Sequence, residues 1–269
     1  MIVGILQAEY GVNPTENLKI TGEILDRGYN MADVVVLPEY SMADVLSLKP
    51  EQVYDIAEPL EDSVYLSNLS DMALKYSTII VAHLIEKTGT PPLSRSTTVL
   101  IYPSGRIEPV YRKIHLFDAY GYRESDYFIP GESPSQIVEL AGVKAGFAIC
   151  YDIRFPELFR TYALKGAESV IVQAGWVRGP LKEEILEHIL ITRAHENTMY
   201  IILSSHSGEK YAGRSGAFSP YGYRINDLGP RPGYAEISID KESIYDARKL
   251  IPVLEHAKMR WIISLRDNE

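Results

Sequence analysis

Short runs of apolar residues alternate with segments of helical spacing along this chain, and this alternation constrains its fold more than any other feature. Residues 34–37 are apolar at every position, which is typical of a strand buried on both faces of a sheet. The segment 181–197 has apolar residues at positions 185, 186, 189, 190 and 194, the spacing of a single buried helix face. The alternation predicts an α/β fold in which helices cover the faces of a sheet.

The same criteria predict a continuous series of elements. Strands are expected near 2–8, 33–38, 78–82, 97–103, 106–112, 144–149, 169–173, 199–204, 214–219 and 234–239. Helices are expected at about 15–28, 62–75, 156–165, 181–197 and 241–249. No linker or tandem repeat interrupts the series, so we expect residues 1–269 to form one domain. The apolar residues of the tail, 251–269, are expected to dock on the core or at an oligomer interface.

Charge and cysteine content narrow the class of protein. The formal net charge of −9 argues against nucleic acid or an anionic membrane as the main partner. No stretch reaches the roughly 20 apolar residues that a membrane helix needs, and the first residues are typical of a strand rather than a signal peptide. A single cysteine excludes an internal disulfide and fits a reducing compartment, so a cytoplasmic location is expected.

That single cysteine, Cys150, follows the predicted strand 144–149 and precedes a predicted helix. A nucleophile on such a turn lies at the carboxyl end of the sheet, where backbone N–H groups face the reacting carbonyl. The start of the helix would also favour the thiolate form. A buried structural cysteine is the alternative interpretation of this position when it is considered alone.

Two further residues occupy comparable positions. Glu39 follows the apolar run 34–37, and Lys113 follows the predicted strand 106–112. A carboxylate beside a thiol acts as its general base if burial raises the carboxyl pKa toward neutrality. A lysine beside both would hold an oxyanion. Considered singly, Glu39 would be a loop carboxylate and Lys113 a solvated surface cation.

Taken together, the segments around these residues resemble the nitrilase superfamily of carbon–nitrogen hydrolases. The resemblance rests on three motifs in the family's order, Leu37-Pro38-Glu39, Tyr111-Arg112-Lys113-Ile114-His115-Leu116 and Ala148-Ile149-Cys150-Tyr151-Asp152-Ile153-Arg154-Phe155-Pro156-Glu157. Further matches at 163–168, 193–197, 213–215 and 220–222 extend it over nearly the whole chain. Two departures are the segment 40–44, which lacks the usual aromatic-glycine pattern, and Arg214, where histidine is common.

The resemblance implies a four-layer αββα sandwich of the nitrilase type and an amidase or omega-amidase-like activity. It implies a catalytic triad of Glu39, Lys113 and Cys150, and nominates Glu124 as a second glutamate that positions the lysine. It also implies a homodimer or a higher homo-oligomer. Trp176 lies in a loop that lines the pocket in similar proteins, although a core aromatic is the alternative.

In the expected mechanism, Glu39 takes the proton of Cys150, and the sulfur attacks a small amide or nitrile substrate. Lys113 would help to keep Cys150 ionised, and the oxyanion would be held by Lys113 and the backbone N–H of Tyr151. The scheme needs no metal or organic cofactor, and no His-Glu-x-x-His run or paired-cysteine cluster indicates a metal site. It needs no histidine base, so His115 is interpreted as structural.

Amide hydrolysis is the first choice of reaction, and several alternatives stay open at this stage. A nitrilase or an N-carbamoyl amine hydrolase would use the same triad. An acyltransferase would form the same thioester and pass it to an amine or alcohol. A non-catalytic binding protein on the same fold would be expected to lack a triad residue, and a papain-like protease would need a histidine base. The sequence leaves the identity of the substrate open.

Overall fold

The computed structural model of the chain describes residues 1–260, which form two β-sheets and seven α-helices. The strands are β1 (Ile2–Gln7), β2 (Val34–Val36), β3 (Ile79–Glu86), β4 (Arg95–Ile101), β5 (Ile107–Arg112), β6 (Asp118–Ala119), β7 (Tyr122–Arg123), β8 (Val138–Leu140), β9 (Val143–Ile149), β10 (Ser169–Ala174), β11 (Tyr200–Ser205), β12 (Gly216–Phe218) and β13 (Gly233–Ser238). The helices are α1 (Pro14–Gly28), α2 (Pro50–Ile56), α3 (Val64–Tyr76), α4 (Pro156–Leu164), α5 (Lys182–Asn197), α6 (Lys241–Leu250) and α7 (Val253–Arg260).

Each sheet is built around three parallel strands. The first has the order β13-β1-β2-β3-β4-β5, in which β1, β2 and β3 are parallel and the outer strands are antiparallel. The second has the order β12-β11-β10-β9-β8, in which β9, β10 and β11 are parallel. Strands β6 and β7 form a separate small hairpin. Since the carboxyl ends of parallel strands share one edge of a sheet, each sheet has an edge suited to a site.

Three apolar clusters show how the layers are stacked. One lies between the first sheet and helices α1 and α3, and another lies between the second sheet and helices α4 and α5. The third cluster lies between the sheets, with Val34 and Val36 from the first facing Phe147 and Ile171 from the second. Val35 belongs to the helix-facing cluster, because successive side chains of a strand point to opposite faces. The architecture is therefore an αββα sandwich.

One polar side chain bridges the sheets within this apolar interior. The side-chain amide of Gln173, on β10, donates to the backbone oxygens of Leu37 at 2.7 Å and Val81 at 3.3 Å. Its oxygen accepts a hydrogen bond from the hydroxyl of Thr98 at 2.8 Å. All these groups are buried, so each bond replaces one that water would otherwise make. The bridge ties the second sheet to three strands or strand ends of the first.

The predicted elements correspond closely to the observed ones, with small differences at the ends. Helix α1 begins at Pro14 because the side chain of Asn13 accepts hydrogen bonds from the N–H groups of Thr15 and Glu16. Helices α2 and α7, the hairpin β6–β7 and strand β8 were not predicted, since each is too short to show a periodic pattern. In the tail, Leu254 of α7 packs into the cluster beside α5, whereas Trp261, Ile262 and Ile263 lie outside the described residues.

Among residues 1–260, no helix combines the length and the apolar composition that crossing a bilayer requires.

Candidate active site

The four residues that the sequence nominates for catalysis meet in one cavity. Glu39 follows β2, Lys113 follows β5, Cys150 follows β9, and Glu124 begins a short 3-10 turn after the hairpin β6–β7. All four line a cavity of about 520 Å³, together with the predicted substrate-binding residues Tyr151 and Trp176. The cavity therefore lies where strand ends from both sheets converge, as the sequence predicts for an α/β site.

Lys113 lies between two carboxylates at the buried end of this cavity. Its Nζ atom donates to Oε1 of Glu39 at 2.8 Å and to Oε1 of Glu124 at 2.7 Å. All three side chains are at most 1% exposed. Burial by itself would lower the pKa of Lys113, but the charges of Glu124 and Glu39 raise that pKa well above its ordinary value. The lysine is therefore a fixed positive charge beside Cys150.

Glu39 is held through both of its carboxylate oxygens. Oε1 accepts from Lys113, and Oε2 accepts from the backbone N–H of Gly175 at 2.7 Å. Burial raises the pKa of Glu39, while the hydrogen bonds and the charge of Lys113 oppose that rise. A carboxylate whose pKa is raised in this way binds a proton more readily than a surface glutamate does. This property suits a general base.

Glu124 joins the lysine to the wall of the cavity. Its Oε1 also accepts from the hydroxyl of Tyr40 at 3.1 Å, and its Oε2 accepts from the backbone N–H of Phe117 at 2.6 Å. These bonds hold the carboxylate still, and with it one of the two anchors of Lys113. This arrangement is what a lysine-positioning glutamate requires.

Cys150 lies on a tight turn with a left-handed backbone conformation. Its φ is 45°, an uncommon value for a residue with a side chain, and the turn leads from β9 into α4. Asp152, which is fully buried, holds the turn through bonds to the N–H groups of Ile149 at 2.9 Å and His115 at 3.1 Å. The hydroxyl of Tyr111 donates to the same carboxylate at 2.8 Å. Strain of this kind persists only where surrounding contacts maintain it.

The protonation of Cys150 differs from the expectation. The sequence predicted that the helix start and Lys113 would favour a thiolate, but burial and the charge of Glu39 raise the pKa of the thiol well above its ordinary value. The sulfur therefore holds its proton more tightly than an exposed thiol does, although the charge of Lys113 opposes this effect. A base is needed to remove that proton, and Glu39 is positioned within the same buried cluster to do so.

His115 has a structural position, as the sequence analysis interpreted it. Its Nδ1 lies 2.7 Å from Oδ1 of Asp152, and its ring stacks on Phe155 with 3.5 Å between the ring centres. The histidine thus links the segment that carries Lys113 to the turn that carries Cys150. Among residues 1–260, no group of three or more His, Cys, Asp or Glu side chains is arranged to hold a metal ion.

Aromatic rings and cations form the outer part of the cavity. Trp176 is 5% exposed, and its indole N–H donates to the backbone oxygen of Lys182 at 2.8 Å. The guanidinium of Arg154 lies 5.0 Å from the centre of the Trp176 ring, and the Lys182 ammonium lies 4.0 Å from the centre of the Tyr120 ring. These contacts fix two positive charges beside the cavity.

Several residues of this site were missed by sequence reasoning. Gly175 follows β10, and this position at a strand end could have marked it as part of the site. Because it has no side chain, nothing in the sequence indicated that its backbone N–H binds Glu39. A Cβ atom at this glycine would lie 2.9 Å from the ring of Tyr40 and 3.2 Å from Oε2 of Glu39. Tyr122 and Arg154 line the cavity, but no sequence pattern around either residue predicts which way its side chain points.

Several known proteins are similar to this chain in sequence or in fold. The family model described as carbon–nitrogen hydrolase matches residues 2–249. A deaminated glutathione amidase of Escherichia coli O157:H7 is 33% identical over 183 residues, which is 68% of each chain. A deaminated glutathione amidase of Synechocystis is 30% identical over 270 residues, 95% of this chain and 97% of the relative. Saccharomyces cerevisiae Nit3, a member of branch 10 of the nitrilase superfamily, superposes with a TM-score of 0.80 at 24% identity, over 94% of each chain.

Proposed function

The chain belongs to the carbon–nitrogen hydrolase family, and we propose that this enzyme hydrolyses a small non-peptide amide to a carboxylate and ammonia, with Cys150 as the nucleophile. The observation that carries the proposal is the buried cluster of Glu39, Lys113, Glu124 and Cys150 at the end of one cavity. It combines a thiol, a base with a raised pKa and a fixed positive charge, which are the groups that acyl transfer through a thioester needs.

In the first half-reaction, Glu39 takes the thiol proton while the sulfur of Cys150 attacks the amide carbon. The carbonyl oxygen becomes an oxyanion, which Lys113 and the backbone N–H of Tyr151 stabilise. One such donor is typically worth about 10²–10³ in rate. When the oxyanion collapses, the C–N bond breaks, and the nitrogen leaves as ammonia with the proton from Glu39.

In the second half-reaction, Glu39 takes a proton from water, and the hydroxide attacks the thioester. The C–S bond breaks, the sulfur of Cys150 recovers a proton from Glu39, and the product leaves as the carboxylic acid, which ionises to the carboxylate in water. The Glu39 carboxyl group therefore serves as both base and acid in each half-reaction. Its two hydrogen bonds keep it in place, and its raised pKa favours the uptake of a proton.

The cations of the outer cavity support a substrate that carries a carboxylate away from its amide. Arg154 and Lys182 line the cavity, where their charged groups lie against the aromatic rings of Trp176 and Tyr120. A carboxylate on the substrate would give each of them a charged partner in a partly desolvated setting. Two relatives have the name deaminated glutathione amidase, and this supports an amide over a nitrile.

We also propose that the enzyme forms a homodimer or a larger homo-oligomer in the cytoplasm. Tyr221, which lies in a turn, and Tyr223 and Ile225, which follow that turn, are 36%, 56% and 38% exposed. Arg224 of this segment lies 3.4 Å from Glu187 of α5, so the exposed side chains form an apolar surface beside that helix. A second copy of the chain would cover it. The reducing cytoplasm would keep Cys150 as a thiol.

Ammonia release from a panel of amides tests the proposal. The panel contains short aliphatic amides, monoamides of dicarboxylic acids, N-carbamoyl amines and nitriles, each offered to the wild type and to Cys150→Ala. We expect release from the dicarboxylic monoamides, with loss of activity in Cys150→Ala and an unchanged circular dichroism spectrum. Activity that survives in Cys150→Ala, or the absence of release from every amide, would rule out the proposed function.

A second measurement separates hydrolysis from acyl transfer. Mass spectrometry of the wild type, quenched during turnover, is expected to show the acyl group on the peptide that contains Cys150. Hydroxylamine is then offered with water as a competing nucleophile. Release of free carboxylate as the only product in buffer supports a hydrolase, whereas turnover that requires an added amine or alcohol supports a transferase.

A further inference from the structure

The hydroxyl of Tyr122 is an exception among the tyrosines around the cavity. It is buried, and it has no hydrogen-bond partner within the described residues. Other buried tyrosines in this half of the molecule are paired, since Tyr40 donates to Glu124, Tyr111 to Asp152 and Tyr211 to Asp44. A buried hydroxyl without a partner is unfavourable, so such a group in a native protein requires an explanation.

The position of Tyr122 suggests a ligand as that explanation. The residue lies on β7, two positions before Glu124, and it lines the same cavity as Glu39, Lys113 and Cys150. Its ring packs against Tyr127, with 5.6 Å between ring centres and 22° between ring planes, and against Phe117 at 6.4 Å. The ring is thus held from two sides, which leaves the hydroxyl in a defined place in the cavity wall.

The charges around this hydroxyl restrict what it binds. Burial and the nearby charge of Glu124 raise the pKa of Tyr122 far above the physiological range, so that the hydroxyl stays protonated and is available as a donor. Glu39 and Glu124 line the same cavity with Lys113 between them, so these three groups together have a net negative charge that would repel an anionic acceptor. An uncharged oxygen is therefore the acceptor that fits this position.

We propose that Tyr122 is a specificity-determining residue whose hydroxyl donates a hydrogen bond to an uncharged oxygen, a hydroxyl or a carbonyl, on the acyl chain of the substrate. This inference rests on the proposed amide hydrolysis and refines its substrate class. The preferred substrate has an amide at the buried end, an uncharged oxygen on the intervening chain and a carboxylate near the cations of the outer cavity. A plain aliphatic chain would leave the Tyr122 hydroxyl without a partner.

The test compares Tyr122→Phe with the wild type on substrates that differ in one oxygen. Succinic acid monoamide is the reference, and the two malic acid monoamides place a hydroxyl on either carbon of the same chain. The wild type is expected to prefer at least one malic monoamide in kcat/KM. Tyr122→Phe should lose that preference by roughly 3- to 10-fold, the worth of one neutral hydrogen bond, measured as the ratio of malic to succinic monoamide turnover by the same variant.

Tyr127→Phe is the matched control, because it removes a hydroxyl from the ring stacked on Tyr122. The Tyr127 hydroxyl donates to the backbone oxygen of Leu48 at 3.2 Å, and the residue is not part of the cavity lining. Its ratio of malic to succinic monoamide turnover should equal that of the wild type. An unchanged ratio in Tyr122→Phe, or an equal loss on all three substrates, would overturn the inference. Hydrolysis of the reference by the wild type, lost in Cys150→Ala, would leave the proposed function intact in either case.

Discussion

Lys113 is the residue on which the electrostatics of the site depend. It is the cation that both Glu39 and Glu124 bind, and all three side chains are removed from solvent. The charge of two buried carboxylates is tolerable only with a positive charge between them, because an unpaired buried charge is strongly unfavourable. The lysine therefore supports the fold as well as the proposed chemistry.

Replacing Lys113 by methionine should show both effects. Lys113→Met is expected to abolish ammonia release and to lower the free energy of unfolding by about 3–5 kcal/mol, the usual result of breaking a buried ion pair. Without the lysine, the pKa of Glu39 rises further because the charge of Lys113 no longer opposes the effect of burial, so the stability deficit should shrink as pH falls and Glu39 becomes protonated. Urea denaturation at several pH values measures this. Lys19→Met, on a lysine that is 78% exposed, should match the wild type.

The raised pKa of Glu39 predicts a pH profile. A general base must be ionised, so kcat/KM should fall as pH decreases through the pKa of Glu39, and this acid limb should lie above 4.5, the ordinary glutamate value. Since the charge of Glu124 contributes to the rise, Glu124→Gln should move the acid limb to lower pH while it reduces the rate. An acid limb at or below 4.5 in the wild type would argue against Glu39 as the base.

At the scale of elements, one carboxylate on the turn after β9 connects the proposed nucleophile to the segment that carries the proposed oxyanion donor. Asp152 binds the N–H groups of Ile149 and His115, and it thereby connects the turn of Cys150 to the segment after Lys113. The strained φ of Cys150 depends on these bonds. A change in Asp152 should therefore affect Cys150 and Lys113, the two residues for which we propose catalytic roles, although its side chain contacts neither of theirs.

Asp152→Asn tests this connection. The asparagine amide turns its N–H₂ group toward one of the donors from which the Asp152 carboxylate now accepts a hydrogen bond. Two donors then face each other, and one buried hydrogen bond is lost. We expect the free energy of unfolding to fall by about 1–3 kcal/mol and kcat to fall more than KM rises. Asp126→Asn, where the side chain is 55% exposed, should change neither quantity. Equal behaviour of the two variants in denaturation and in kinetics would remove Asp152 from this role.

The elements that place the nominated residues were predictable because each follows a long, regular pattern. Glu39 and Cys150 follow strands whose apolar runs are plain in the sequence, so their position at one edge of the sheets could be inferred. Tyr122 lies on a strand of two residues, which is too short for any periodicity to reveal. The direction of Arg154 is set by Trp176, more than twenty positions away, and only tertiary packing brings the two together.

On the scale of the whole molecule, the apolar segment beside α5 predicts self-association. Multi-angle light scattering is expected to give a mass at least twice the 30.3 kDa of one chain. Tyr223→Arg places a charge in the middle of the surface and should shift the mass toward that of one chain. Leu74→Arg, a substitution at a residue of α3 that is 65% exposed, should leave the mass unchanged. A wild-type mass of one chain would contradict the proposed oligomer.

The four layers were predicted from a family resemblance rather than from periodicity. An apolar run shows that a strand is buried on both faces, but the same run fits a sheet between two helix layers and a sheet packed on another sheet. The observed distribution decides between them, because Val34 and Val36 face Phe147 and Ile171 while Val35 faces the helices. Pairing of the two sheets is thus a property of tertiary contacts that a single strand pattern does not specify.

The Gln173 bridge has a consequence for how this enzyme would lose activity. Glu39 follows a strand of one sheet and Cys150 a strand of the other, so the gap between the proposed base and the proposed nucleophile depends on how the two sheets are aligned. Sliding one sheet past the other would leave every ladder of backbone hydrogen bonds intact and still widen that gap. The hydrogen bonds donated by the side-chain amide of Gln173 and by the backbone N–H of Gly175 run between the two sheets and resist this sliding. Heat or pressure that breaks these hydrogen bonds would therefore abolish activity while both sheets are still formed.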